Sequence, residues 1–149
     1  MIAVLIFLIG SSTASAQKQS VNEMAGNLLK IARVKDKCGC KKDGPEEKRF
    51  RFILTKLRST CSDTPPLPGD KIAVIYKEFD KAGLGKKEGL VALTENIFQL
   101  TTAVVNIHRA QKMKCSELWA AYTHLRTNGA MASAEAKKGL IQIYRAARR

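Results

Sequence analysis

Four cysteines are the residues of this chain whose type and spacing could do chemistry. They are Cys38, Cys40, Cys61 and Cys115, and the first two stand one glycine apart in the lysine-rich stretch KCGCKK, residues 37–42. In an oxidising compartment an even number of cysteines predicts disulfide bonds, and four cysteines allow three pairings. The sequence therefore predicts two disulfides.

Chain geometry favours one pairing. A helix is predicted between the cysteine pair and Cys61, and its length of roughly 18 Å exceeds the limit of about 7 Å between the Cα atoms of a disulfide. Cys38 has enough slack to reach back to Cys61, whereas Cys40 does not, so we expect Cys38–Cys61 with Cys40–Cys115. KCGCKK would then fasten the corner between two helices. The rival pairing is Cys61–Cys115 with a small ring between Cys38 and Cys40.

That small ring would carry redox chemistry. The flanking Lys37, Lys41 and Lys42 would stabilise a thiolate, and a labile disulfide exchanges with other thiols. This thiol–disulfide alternative lacks its usual support, a C-x-x-C motif on a thioredoxin-like βαβ unit. Zinc binding is disfavoured too, because Cys61 and Cys115 each stand alone and no histidine has a partner at ligand spacing.

Histidine offers an acid–base alternative. His108 and His124 are the two histidines of the chain, and a small cationic secreted hydrolase of phosphodiesters could use them. The apolar neighbours of His108 and the outward position of His124 favour ordinary surface or boundary residues instead. No nucleophile-elbow, haem-attachment or zinc-protease motif occurs, and no motif predicts a cofactor or a metal. We therefore favour a non-enzymatic protein.

The N-terminus has the pattern of a secretory signal peptide. An uncharged apolar run, residues 2–9, precedes small polar residues and Ala14-Ser15-Ala16, the kind of triplet that signal peptidase recognises. The run would form about 12 Å of helix, too short to cross roughly 30 Å of hydrocarbon. We expect a signal peptide at 1–16 and a single helical domain at 17–149, in the periplasm or outside the cell, without a membrane span.

The net charge of the chain indicates which classes of partner it could bind. The formal net charge is +13, and the excess of lysine and arginine lies mainly in residues 17–61 and 133–149. Such a surface attracts acidic proteins and envelope polyanions. Nucleic acid is disfavoured, because export limits access to it and the chain lacks the interleaved aromatic and arginine residues of single-strand binders.

Six helical patterns would position these residues. Apolar stripes follow Ser20, Asp70 and Ser133, which are the predicted N-caps of three helices. Further stripes follow Pro45, the start of the heptad-like segment 90–107, and Cys115. Spacings of three and four residues indicate helices, whereas the proline-rich residues 62–69 indicate a connection. The sequence therefore predicts an all-α fold, a compact bundle of about five to six helices stapled by disulfides. The 90–107 helix would pack in the bundle centre or pair with a second copy.

Two of the predicted helices are amphipathic with a basic face. The candidate partner-binding residues are Lys48, Arg51 and Arg58 on the second helix and Lys138, Arg145 and Arg149 on the sixth. On the sixth helix they oppose a predicted apolar face of Ala136, Leu140, Ile143 and Ala147. We expect these basic faces either to bind an acidic partner or to be plain solvated helix surface.

Export predicts a defined N-terminus. The protein recovered outside the cytoplasm should begin at Gln17, because signal peptidase cuts after the small-residue triplet. Intact-mass measurement of the extracytoplasmic fraction checks this. A chain that keeps residues 1–16 and stays in the cytoplasm would argue against export.

Overall fold

The computed structural model of the chain describes residues 20–63, 68–107 and 113–148. These ranges form seven helices: α1 (Val21–Lys35), α2 (Pro45–Thr60), α3 (Pro68–Lys81), α4 (Gly85–Glu88), α5 (Leu90–Ile107), α6 (Cys115–Thr127) and α7 (Ser133–Ala147). No strand forms within them. The predicted all-α, disulfide-containing bundle is confirmed, and the one-turn α4 is an additional helix. The predicted signal peptide lies outside the described residues.

Local sequence determines where α1 and α2 begin. The Ser20 hydroxyl caps α1 by accepting a hydrogen bond from the backbone N–H of Glu23 at 3.1 Å, as the sequence predicts. Pro45 opens α2 at a position where no N–H donor is needed.

Two other predicted helix starts are wrong, by three residues for α3 and by one for α7. Helix α3 begins at Pro68 rather than after Asp70, and the residue that precedes α7 as its cap is Ala132 rather than Ser133. The Ser133 hydroxyl is instead 2.8 Å from the Tyr122 hydroxyl. This hydrogen bond joins α7 to α6, and the local sequence around Ser133 does not predict it.

Helix α5 is the centre of the core and contacts every other helix. The predicted apolar stripe is buried along its whole length: Leu90, Leu93, Ile97, Leu100, Val104 and Ile107. Burial within one chain therefore explains the heptad pattern. Pairing with a second copy through residues 90–107 finds no support in this packing.

Among the described helices, α5 also stands out by hydropathy. It has 18 residues with a mean hydropathy of 1.3, enough by length and composition to cross a membrane. Eight of its residues are buried against the other helices. A helix at the centre of a bundle needs the same composition, so its core position accounts for its hydropathy.

The cysteines pair differently from the expected pattern. The structure joins Cys38 to Cys40 and Cys61 to Cys115, so the expected Cys38–Cys61 and Cys40–Cys115 pairing is wrong. The reason is that the chain returns to the end of α2, where a parallel bridge pairs Cys61 with Met113 just before α6. KCGCKK is therefore not the staple between α1 and α2.

Hydrogen bonds to Asp63 reinforce the contact between α2 and α6 beside the Cys61–Cys115 disulfide. The Asp63 carboxylate accepts hydrogen bonds from the backbone N–H groups of Cys115 at 2.8 Å and Ser116 at 3.2 Å, and from the Ser116 hydroxyl. Partial burial raises the pKa of Asp63, but these hydrogen bonds outweigh it and leave the pKa below its usual value. A carboxylate at this helix N-terminus is favourable.

A buried ion pair joins α4 to α6. Arg126 Nη2 lies 2.7 Å from Glu88 Oε2, and the two side chains are 9% and 10% exposed. The guanidinium also lies over the rings of Phe79 and Tyr122, 5.3 Å and 5.9 Å from their centroids. Burial lowers the pKa of Arg126, but its hydrogen bonds to Glu88 and Tyr122 outweigh this and raise the pKa above its usual value.

The two disulfides should differ in their contribution to stability. The Cys61→Ala/Cys115→Ala variant should lose about 4 kcal/mol of unfolding free energy, because a long bridge strongly restricts the unfolded chain. Cys61 and Cys115 are 54 positions apart in the sequence, whereas Cys38 and Cys40 are two positions apart. The Cys38→Ala/Cys40→Ala variant should lose less than about 2 kcal/mol. Urea unfolding followed by circular dichroism measures both, and equal losses would contradict the pairing.

Loss of one partner of the buried ion pair should also destabilise the fold. Glu88→Gln leaves the Arg126 charge buried and uncompensated, so we expect a loss of about 3–5 kcal/mol in urea unfolding. The control is Glu88→Gln/Arg126→Met, which removes both charges and should recover most of the loss. A double variant no more stable than Glu88→Gln would show that the charge itself is not the cause.

Candidate anion-binding groove

A groove between α5 and α7 brings three cations together. Its volume is about 430 Å³; α7 contributes Lys137, Lys138, Ile141 and Arg145 to the lining, and α5 contributes Gln99. None of the described residues that line it is acidic. The lining therefore carries three positive charges with no negative charge among them.

Helical spacing places the α7 cations along one side of the groove. Lys138 and Arg145 are seven residues apart, which is two turns and about 10 Å of helix. Lys137 and Ile141 are four residues apart and share a row. The groove thus offers positive charge over a length that suits neighbouring anionic groups of one ligand.

Part of the predicted apolar face of α7 is wrong. Ala136 and Leu140 are buried, but Ile143 is 62% exposed and Ala147 is exposed. The core contact continues instead to the partly buried Tyr144, so it follows the row 136–140–144. Apolar residues occur on both rows, and packing against α5 and α6 selects one of them.

Lys137 is held in place by uncharged groups. Its Nζ donates hydrogen bonds to Asn96 Oδ1 and Gln99 Oε1, each at 2.8 Å. Amide oxygens orient the ammonium group but bring no opposite charge. Asn96 donates from Nδ2 to Glu88 Oε1 at 2.8 Å, so a chain of polar contacts runs from the buried ion pair of Arg126 to the groove.

The acidic residue of α5 does not neutralise the groove. Glu95 binds Arg49 of α2, with Nε–Oε2 at 2.9 Å and Nη2–Oε1 at 2.5 Å. Their hydrogen bond lowers the pKa of Glu95 and raises that of Arg49, so both remain charged. The guanidinium lies 5.0 Å from the ring centroid of Phe52, which meets Phe98 edge to face at 5.9 Å. This pair belongs to the α2–α5 contact.

The groove contains two of the six predicted partner-binding residues, Lys138 and Arg145. Lys48 and Arg51 lie on α2, which contributes no described residue to the groove lining. Arg51 is also paired with Asp43 at 3.1 Å.

The other two predicted residues do not add to the groove. Arg58 is half-buried on α2 and makes contacts of its own. Arg149 lies outside the described residues. Among the described residues, the basic face of α2 is thus separate from that of α7, and the α7 face is the one that lines the α5–α7 groove.

Sequence reasoning missed Lys137 and Gln99. Lys137 is adjacent to Lys138 in the sequence, and Gln99 is a polar residue between Phe98 and Leu100 of α5, so the sequence marks both as polar positions. Neither feature indicates which side of α7 packs against α5. That orientation depends on tertiary packing.

The alternative catalytic residues that the structure describes, His124, Cys38 and Cys40, do not line the groove. His124 is exposed on α6, with Nδ1 2.9 Å from Nδ2 of Asn128, whereas His108 lies outside the described residues; their joint use stays a prediction. Cys38 and Cys40 form their own disulfide between α1 and α2. Within the described ranges, no three side chains of histidine, cysteine, aspartate or glutamate cluster as a metal site requires.

Comparisons with models of protein families, with curated proteins and with solved structures find no match to this chain. What the groove can bind follows from its own chemistry. Arginine presents a planar fork of donors that fits a carboxylate or phosphate, and lysine adds a compact charge.

Proposed function

We propose that the protein is an exported, non-enzymatic binding module whose α5–α7 groove holds an acidic partner. The partner is an acidic protein segment or an envelope polyanion in the periplasm or outside the cell. One observation carries the proposal: Lys137, Lys138 and Arg145 line a single groove that has no acidic residue in its described lining.

The arrangement favours a ligand with several negative charges. A single exposed ion pair contributes little, because water and salt screen it. Three cations in one groove act together on successive anionic groups, and Lys137 is already oriented by Asn96 and Gln99. Orientation before binding reduces the entropy that the side chain loses when the ligand arrives.

Export is supported by two independent features. The N-terminal apolar run with its small-residue triplet has the pattern of a signal peptide. The two disulfides suit an oxidising compartment. An oxidising location outside the cytoplasm also provides acidic envelope components as partners for a cationic protein.

Neutralising the groove should weaken binding beyond the effect of net charge. The variant Lys137→Gln/Lys138→Gln/Arg145→Gln should bind polyglutamate and polyphosphate about tenfold less tightly than the unmodified protein, with a shallower salt dependence. Fluorescence anisotropy at several salt concentrations measures both. The two probes represent an acidic protein and an envelope polyanion, so their relative affinity also indicates the class of partner.

The matched control removes the same number of charges elsewhere. Lys71, Lys86 and Lys87 are exposed on α3 and α4, away from the groove lining. Their replacement by glutamine should leave most of the affinity and most of the salt dependence. If the two triple variants lose affinity equally, binding follows net charge and the groove is not the site.

A further inference from the structure

The Cys38–Cys40 disulfide is the one of the two that the fold depends on least. Its cysteines are two positions apart, so the bond removes little freedom from the unfolded chain. The helices on either side, α1 and α2, pack directly on each other and do not need the bond to bring them together. A contribution to stability therefore does not explain why this disulfide is present.

Access distinguishes this disulfide from the other one. Cys61 and Cys115 are both 0% exposed, whereas Cys38 is half-buried and Cys40 is 7% exposed. The side of Gly39 is open, since no atom beyond those of Cys38, Gly39 and Cys40 lies within 4 Å of the position that a Cβ would take there. Exposed disulfides are the labile and catalytic ones, and fully buried ones are structural.

Both cysteines of the pair are held through their backbone. The Cys40 carbonyl accepts a hydrogen bond from Arg33 Nε at 2.6 Å, and the Cys38 N–H donates to the Ala32 carbonyl at 3.4 Å. Burial is what distinguishes them, since Cys40 is the buried member. Cys38 is the more accessible sulfur. An approaching thiolate therefore reaches Cys38 first and leaves Cys40 as the sulfur that departs.

The surrounding charge favours a departing thiolate. Lys37, Lys41 and Lys42 are all exposed next to the pair, and cations near a cysteine stabilise its thiolate. The two acids of the same loop are engaged elsewhere. Asp36 accepts hydrogen bonds from a tyrosine of α3 and a backbone N–H of α5, and Asp43 pairs with an arginine of α2.

We propose that the Cys38–Cys40 disulfide is a redox-active site that accepts electrons from a protein dithiol. A thiolate of the dithiol attacks Cys38 Sγ, the Cys38–Cys40 bond breaks, and its electron pair leaves on Cys40 Sγ. The second thiolate of the dithiol then attacks the partner sulfur bound to Cys38 and releases Cys38 as a thiolate. The dithiol loses two electrons and two protons to become a disulfide, and the pair gains them as two thiols.

Selective reduction of the unmodified protein tests the site. In glutathione buffers of increasing reducing strength, Cys38 and Cys40 should become reduced while Cys61–Cys115 stays oxidised and the helical circular dichroism is kept. Differential alkylation with peptide mass mapping assigns each cysteine. If Cys38–Cys40 opens only when the other disulfide opens or the helices unfold, it is a structural bond and the proposal fails.

Single-cysteine variants test the roles of the two sulfurs. With a peptide disulfide as probe, Cys40→Ser, which keeps Cys38, should form a mixed disulfide about tenfold faster than Cys38→Ser, because the more accessible thiolate reacts faster. Equal or reversed rates would overturn the assignment of Cys38 as the attacked sulfur.

A lysine-to-glutamine variant tests whether the neighbouring positive charges stabilise the departing thiolate. Lys37→Gln/Lys41→Gln/Lys42→Gln should slow reduction of the pair by glutathione several-fold, whereas glutamine at Lys71, Lys86 and Lys87 should not. Equal slowing in both variants would assign the effect to net charge. The α5–α7 groove is unchanged in the cysteine variants, so their failure leaves the proposed anion binding unaffected.

Discussion

The buried contact between Arg126 and Glu88 is the interaction on which the proposed site depends. It ties α4 to α6, and Glu88 also accepts a hydrogen bond from the amide of Asn96, which in turn orients Lys137. A buried ion pair contributes little stability over an apolar pair of the same size, since both ions lose their hydration. Its consequence here is orientation: the polar contacts determine where the ammonium group points.

The distribution of charge matters more than its sum. A net charge of +13 makes the whole surface attractive to anions, which speeds encounter without selecting a partner. On the α2 side, Arg49 and Arg51 are paired with Glu95 and Asp43. The groove differs from the α2 side because Lys137 is held by side-chain amides rather than by carboxylates. The same sequence therefore presents many cations, and in the groove it places three of them in a lining whose described residues include no acid.

Much of the fold could be predicted from the sequence because it is local. The Ser20 cap, the proline at the start of α2 and the stripe of α5 each depend on residues within a few turns of one another. The cysteine pairing, the rotation of α7 and the short α4 could not be predicted in the same way. The cysteine pairing depends on the chain meeting the end of α2 again at Met113 and Cys115, and the rotation of α7 depends on its packing against α5 and α6. Helix α4 has four residues, too few to show a helical spacing in the sequence. Lys138 and Arg145 were predictable as basic residues, but their groove with Gln99 was not.

The most direct test of the account is a nuclear magnetic resonance titration of the isotopically labelled protein with short polyglutamate. Chemical-shift changes should concentrate at Lys137, Lys138, Arg145 and the side-chain amides of Asn96 and Gln99, and they should diminish as salt screens the contact. Changes centred on the basic face of α2, or spread evenly over the exposed lysines, would contradict binding in the α5–α7 groove.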